Sequence, residues 1–177
     1  INVGDIDHIV FAGMGGSGSI GDTISAILSK KNIHVTSVKG YLLPKTVDSK
    51  TLVIATSVSG NTSEILTILK DIKKTNAKVA GFTSGGLFEK YCRNNEIFFQ
   101  KIPMVHSPRA SFTSFLYTIL NILEPVLPIQ KNDVQDSITS LDEIKKNIFS
   151  ENLTNENKAL DLAEFVRNIV CIYSPGG

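Results

Sequence analysis

The feature that most constrains this chain is a glycine-rich corner placed directly after its first apolar run. His8-Ile-Val-Phe-Ala12 reads as a buried strand, and Gly13-Met14-Gly15-Gly16-Ser17-Gly18 follows without a spacer. Ile20, Ile24, Ile27 and Leu28 then recur at helical spacing. A strand that turns through glycine into a helix is the opening half of a βαβ unit. The texture repeats. Apolar runs at Ile33–Val38, Thr51–Thr56, Lys78–Thr83 and Glu96–Gln100 read as further strands. Ile65, Ile68, Leu69 and Ile72 mark another helix, with Lys70, Lys73 and Lys74 on its last turns, where cations suit the dipole. Near-continuous apolar strands alternating with helices predict a three-layer α/β/α sandwich around a five-stranded, mostly parallel sheet covered on both faces.

Beyond the sheet, Phe112, Phe115, Leu116, Ile119, Leu120 and Leu123 stripe one side of a helix expected over Ala110–Glu124, stopped by Pro125. The stripe reads as core packing. From Gln130 the chain turns polar, with amphipathic helices expected over Val134–Phe149 and Asn157–Val166. A last apolar run, Asn168-Ile-Val-Cys-Ile-Tyr173, precedes Ser174-Pro-Gly-Gly177 and repeats the strand-then-glycine form of the opening corner. The expected division is therefore a domain over residues 1–129, a helical linker over 130–167, and at 168–177 the first strand of a second, similar unit.

Charge narrows the function. Eighteen Lys and Arg against seventeen Asp and Glu give a net charge of +1, which argues against a dedicated nucleic-acid or anionic-membrane binder. No apolar run is long enough to span a bilayer, and the start of the chain lacks the basic n-region of a signal peptide. Cys92 and Cys171 are far apart and form no disulfide or metal pattern. Both read as small buried residues of a protein in a reducing compartment, the cytoplasm.

Three motifs carry chemistry. The first corner satisfies GxGxxG, whose glycines let backbone amides approach an anion at a helix N-terminus. It fits both a dinucleotide and a sugar phosphate. A dinucleotide site also requires an acidic residue at the end of the second strand. That region reads Val35-Thr-Ser-Val-Lys-Gly40, with no acid before Asp48, so a nicotinamide-dependent dehydrogenase ranks low. The second motif, Ser57-Val58-Ser59-Gly60-Asn61-Thr62, crowds hydroxyls and an amide at a helix start. A phosphate monoester needs such directed donors. Capping of that helix by Asn61 and Glu64 explains part of the motif but not Ser57 and Ser59 together. The third, Ser107-Pro108-Arg109-Ala110-Ser111, puts a cation ahead of an apolar helix, against its dipole. His106 beside it reads as a loop residue, and His8 and His34 as strand-edge residues.

Taken in this order, GMGGSG, SVSGNT and PRAS resemble the SIS (sugar isomerase) fold over His8–Leu123, and most closely the archaeal and bacterial bifunctional phosphoglucose/phosphomannose isomerases. The resemblance implies a hexose 6-phosphate ligand held by Gly16 and Ser17 from the first loop and by Ser57, Ser59 and Thr62 from the second. It makes Arg109 the group that stabilises an enediolate during interconversion of glucose 6-phosphate or mannose 6-phosphate with fructose 6-phosphate. It implies no metal or cofactor, and a homodimer. The base and the ring-opening histidine of that family belong to the second SIS domain and have no counterpart here, so the 177 residues are expected to be inactive alone. The helix over Ala110–Glu124 is expected to meet a second SIS unit, in the same chain or in a dimer, and without one to leave an apolar patch exposed or to drive self-association. The alternative is a non-catalytic phosphosugar-sensing module of a regulator.

Overall fold

The structure, a computed structural model, describes residues 6–167. The strand expected at Asn168–Tyr173, together with Cys171, lies outside them. Two compact units divide the chain, one up to Gln130 and one from Lys131.

In the first unit β1 (His8–Gly13), β2 (His34–Val38), β3 (Thr51–Ser57), β4 (Lys78–Thr83) and β5 (Phe99–Lys101) form one sheet in the order β2-β1-β3-β4-β5. All four pairings are parallel. β1 and β3 are central and buried from end to end, which is why both read as unbroken apolar runs. The edge strand β2 is half-exposed and correspondingly polar.

Helices α1 (Gly16–Leu28), α2 (Ser63–Ile72) and α3 (Gly86–Asn94) pack on the sheet, and α4 (Phe112–Ile122) packs on α1. Ile20, Ile24 and Leu28 of α1 and Ile65, Ile68, Leu69 and Ile72 of α2 are buried, as their spacing requires, whereas Ile27 is exposed. Gly21 lets α1 lie on the sheet, since a Cβ there would stand 2.7 Å from Phe11 Cβ. α3 was not anticipated. Only Phe88 and Cys92 of its nine residues are buried, and one i, i+4 pair is too short a pattern to read. The same helix shortens β5. Asn95 and Ile97 donate to the Cys92 carbonyl, and Glu96 takes φ 53°, so the expected strand at Glu96 begins only at Phe99.

α4 starts two residues late because the Ser111 hydroxyl is committed to the Ser107 carbonyl at 2.9 Å and holds a turn ahead of the helix. Phe115, Leu116, Ile119, Leu120 and Leu123 are buried within the unit's own core. The stripe expected to lie exposed on this helix is thus buried within the unit, where α4 packs against α1.

The second unit holds α5 (Lys131–Ile148) and α6 (Lys158–Phe165). Asn157 caps α6, its Oδ1 accepting from the Ala159 and Leu160 amides at 3.0 and 3.2 Å. Its amide group also donates to the Asn152 carbonyl at 2.7 Å, tying the turn between the helices. Among the described residues no helix is long and apolar enough to cross a membrane.

At the end of the sheet where the chain enters β1, His8 is buried. Its Nε2 lies 2.9 Å from Thr36 Oγ1, and its ring centroid lies 4.4 Å from that of His34. Burial, then the neighbouring His34, lowers its pKa, against smaller opposing contributions from Asp48 and Asp7. The unfolded chain therefore takes up the proton first as pH falls. Stability held above the unfolded value of 6.5 is expected to be lost as pH drops through the folded pKa. Urea midpoints measured from about pH 7.5 to pH 5 should fall for the wild type and flatten in His8→Gln; parallel curves would contradict this.

Candidate functional site

In a parallel sheet of order 2-1-3-4-5, β1 and β3 leave in opposite directions, and a crevice opens between their carboxyl ends. The first two motifs sit there. The first corner leaves β1 at Gly13, a position closed to any side chain: a Cβ would stand 2.7 Å from the Ser17 carbonyl. Gly15 takes φ 53° and precedes α1. The amides of Ser17 and Gly18 turn back to the Met14 carbonyl at 3.1 and 3.4 Å, so much of this helix start is already engaged.

The second corner leaves β3 at Ser57 and enters α2 at its N-cap Thr62, whose side chain makes no capping bond. The Ser57 hydroxyl is buried. It lies 2.8 Å from Thr62 Oγ1 and accepts from the Gly60 amide at 3.1 Å. The amides of Ser63, Glu64 and Ile65 open α2 without acceptors inside the helix, and the positive dipole end lies behind them.

A direct hydrogen bond joins the corners: the Val58 amide donates to Ser17 Oγ at 3.3 Å, 41 positions apart in sequence. Between them lies a cleft of about 120 Å³ lined by Met14, Gly16, Ser17, Val58, Ser59, Thr62, Pro108 and Arg109. Clefts that enclose a whole small molecule start at roughly 300 Å³. This one suits the anionic end of a ligand rather than all of it.

Gly16, Ser17, Ser59, Thr62 and Arg109 thus share one cleft, while Ser57 sits beneath it and holds Thr62. Arg109 reaches the cleft from the turn before α4. It is exposed and makes no ion pair among the described residues, whereas Lys39 pairs with Asp22 and Lys101 with Glu89. Met14, Val58 and Pro108 complete the lining. Each lay inside a recognised motif, without a polar group to single it out.

Sequence reasoning also missed the support from the β4–α3 turn. The Ser84 hydroxyl donates to the Val58 carbonyl, and the Phe88 amide to the Gly60 carbonyl at 2.8 Å. Ser84-Gly85-Gly86 after β4 is a third strand-glycine-helix corner, and that signal was readable. The capping role expected of Asn61 and Glu64 is not realised. The N-cap is Thr62, and Asn61 Oδ1 accepts from the Leu87 amide at 3.1 Å. Glu64 and His106 do not line the cleft.

Burial pushes the Cys92 thiol up to about 11, so it is no nucleophile at neutral pH. Among the described residues no group of three or more His, Cys, Asp or Glu could hold a metal ion.

Amides, hydroxyls and a guanidinium that makes no ion pair among the described residues meet at the switch point of a 2-1-3-4-5 sheet, donors of the kind an anion requires. The chain belongs to the SIS domain family, whose model matches residues 4–122. It is 35% identical over 149 residues to a bifunctional phosphoglucose/phosphomannose isomerase of Caldicellulosiruptor bescii, covering 80% of this chain and 43% of that protein. It is 37% identical over 145 residues to the enzyme of the same name from Thermoplasma volcanium, covering 81% and 44%. The chain thus spans under half the length of these relatives. A hypothetical protein from Thermus thermophilus shares the fold at a TM-score of 0.66 and 18% identity, over 92% of this chain and 42% of that one.

Proposed function

We propose that this chain is the phosphate-binding unit of an aldose–ketose isomerase acting on hexose 6-phosphates. The observation that carries the reading is the junction of two hydroxyl- and glycine-rich βα corners by the Ser17–Val58 bond, with Arg109 on the same cleft. In this reading the phosphate sits on the amides opening α2. Ser17, Ser59 and Thr62 donate their hydroxyls, Gly16 permits close approach, and Ser57 holds Thr62 in place. The sugar extends outward beneath Arg109. Moving a proton between C1 and C2 passes through an enediolate, and a guanidinium at the developing oxyanion lowers that barrier. The kinship with enzymes named for phosphoglucose and phosphomannose supports glucose 6-phosphate, mannose 6-phosphate and fructose 6-phosphate as the substrates.

The cleft lining contains no carboxylate and no histidine. The base and the ring-opening acid then come from elsewhere. Residues 130–167 serve as a linker to a second SIS unit beginning at 168–177, and a homodimer completes the site. The 177-residue chain alone is expected to bind without turning over.

Titration with fructose 6-phosphate, followed by amide chemical shifts, tests the site. Shifts are expected at Ser59–Ile65 and Ser17 at millimolar ligand, and none there would reject it. In Arg109→Ala, a phosphorylated aldonic acid, whose carboxylate mimics the enediolate, should bind about tenfold more weakly, with fructose 6-phosphate affected less. Equal loss for both ligands would make Arg109 a plain binding residue.

A further inference from the structure

Asn61 lies in the phosphate motif yet does not line the anion cleft. Its side chain leaves the loop in the other direction, towards a neighbouring cleft lined by Asn61, Gly86, Leu87, Glu89, Lys90 and Arg93. There Oδ1 accepts from the Leu87 amide at 3.1 Å. Leu87 is the second residue of α3, so its amide has no acceptor inside that helix. On the loop side, Nδ2 donates to the Ser59 carbonyl at 3.3 Å, and the Asn61 amide donates to Ser59 Oγ at the same distance. One carboxamide thereby joins the residue that presents the Ser59 hydroxyl to the first turn of a different helix. The fit is close, since a Cβ on Gly86 would stand 2.8 Å from Asn61 Oδ1.

The other bonds from this turn hold different points of the loop. Phe88 holds the Gly60 carbonyl, and Ser84 holds the Val58 carbonyl. Among the described residues, Asn61 is the side chain that carries the tie from Ser59 to α3.

We infer that Asn61 is a positioning residue: by bridging Ser59 to the Leu87 amide it sets the orientation of the Ser59 hydroxyl and of the adjoining opening of α2, and so the affinity of the cleft for phosphate. Asn61 touches no ligand. It acts through Ser59, and α3 becomes part of the anion site without contributing an atom to it. The inference rests on the reading of the cleft as a sugar-phosphate site.

A double-mutant cycle on the 177-residue chain tests it. Asn61→Ala removes the acceptor. Leu87→Pro removes the donor, at a position in the first helical turn where proline is tolerated. Fructose 6-phosphate affinity is measured well below each variant's unfolding temperature, so that a purely structural role leaves it unchanged. Each single variant should bind about fivefold to tenfold more weakly, the scale of one lost hydrogen bond. The double variant should be no weaker than the worse single one. Faster amide exchange at Leu87 in Asn61→Ala should accompany the loss.

Leu87→Ala, which keeps the amide and trims an exposed side chain, should bind like the wild type. Additive losses, or full affinity in Leu87→Pro, would mean that Asn61 contacts the ligand itself and would overturn the inference. Unchanged affinity in Asn61→Ala would also overturn it, leaving the site intact. A wild type that binds no fructose 6-phosphate would instead remove the functional reading beneath both.

Discussion

Gly60→Ala is expected to destabilise the first unit by about 3–5 kcal/mol and to abolish sugar-phosphate binding. Two costs add. Gly60 takes φ +69°, a conformation that a residue with a Cβ adopts only under strain. The new methyl would also fall inside the Gly85 carbonyl, 2.6 Å from its carbon, and 2.9 Å from Thr83 Oγ1. These are backbone and buried atoms, not the end of a flexible chain, so relief requires the β3–α2 and β4–α3 corners to separate. Their separation breaks the bonds from Phe88 to Gly60 and from Ser84 to Val58, and displaces the opening of α2. On a domain of this size the loss corresponds to a melting temperature lower by roughly 10–20 °C. A variant that melts within about 3 °C of the wild type would refute the steric argument.

The second large effect is expected far from any ligand. Phe88→Ala should cost about 3–5 kcal/mol, the range for a fully buried aromatic cut back to a methyl. Phe88 is wholly buried, and its ring lies over Gly81 of β4, where a Cβ would stand 2.7 Å from Cε1. The glycine is a socket for this ring, so no side chain is available to fill the hole. Phe98, close by in sequence but 47% exposed, serves as the control: Phe98→Ala should change stability by about 0.5 kcal/mol or less. Similar urea midpoints for the two variants would show that α3 is not anchored through this ring.

The two predictions bear on how the site was readable. The corners at Gly13–Gly18 and Ser57–Thr62, and the arginine at 109, were visible because glycine, hydroxyls and an ill-placed cation each leave a local mark. What α3 does was not visible. Its apolar signal is one pair, Phe88 and Cys92, and its use as a clamp depends on a turn brought alongside by strand pairing. Asn61 was misread for the same reason. A cap is a local bond that spacing suggests, whereas the bond it makes spans 26 positions. The stripe on α4 was legible as core, but it is buried within the first unit, against α1, and not by the second unit expected to cover it.

Periodicity and turn chemistry belong to neighbouring residues, so the chain alone determined its strands, most of its helices and the places where it turns through glycine. Which corners meet is a matter of strand order. That order is set by pairing between distant segments and by the burial of β1 and β3 on both faces. Only the assembled sheet could put the Ser17 hydroxyl against the Val58 amide and bring Arg109 to the same cleft, because no run of adjacent residues holds those groups together.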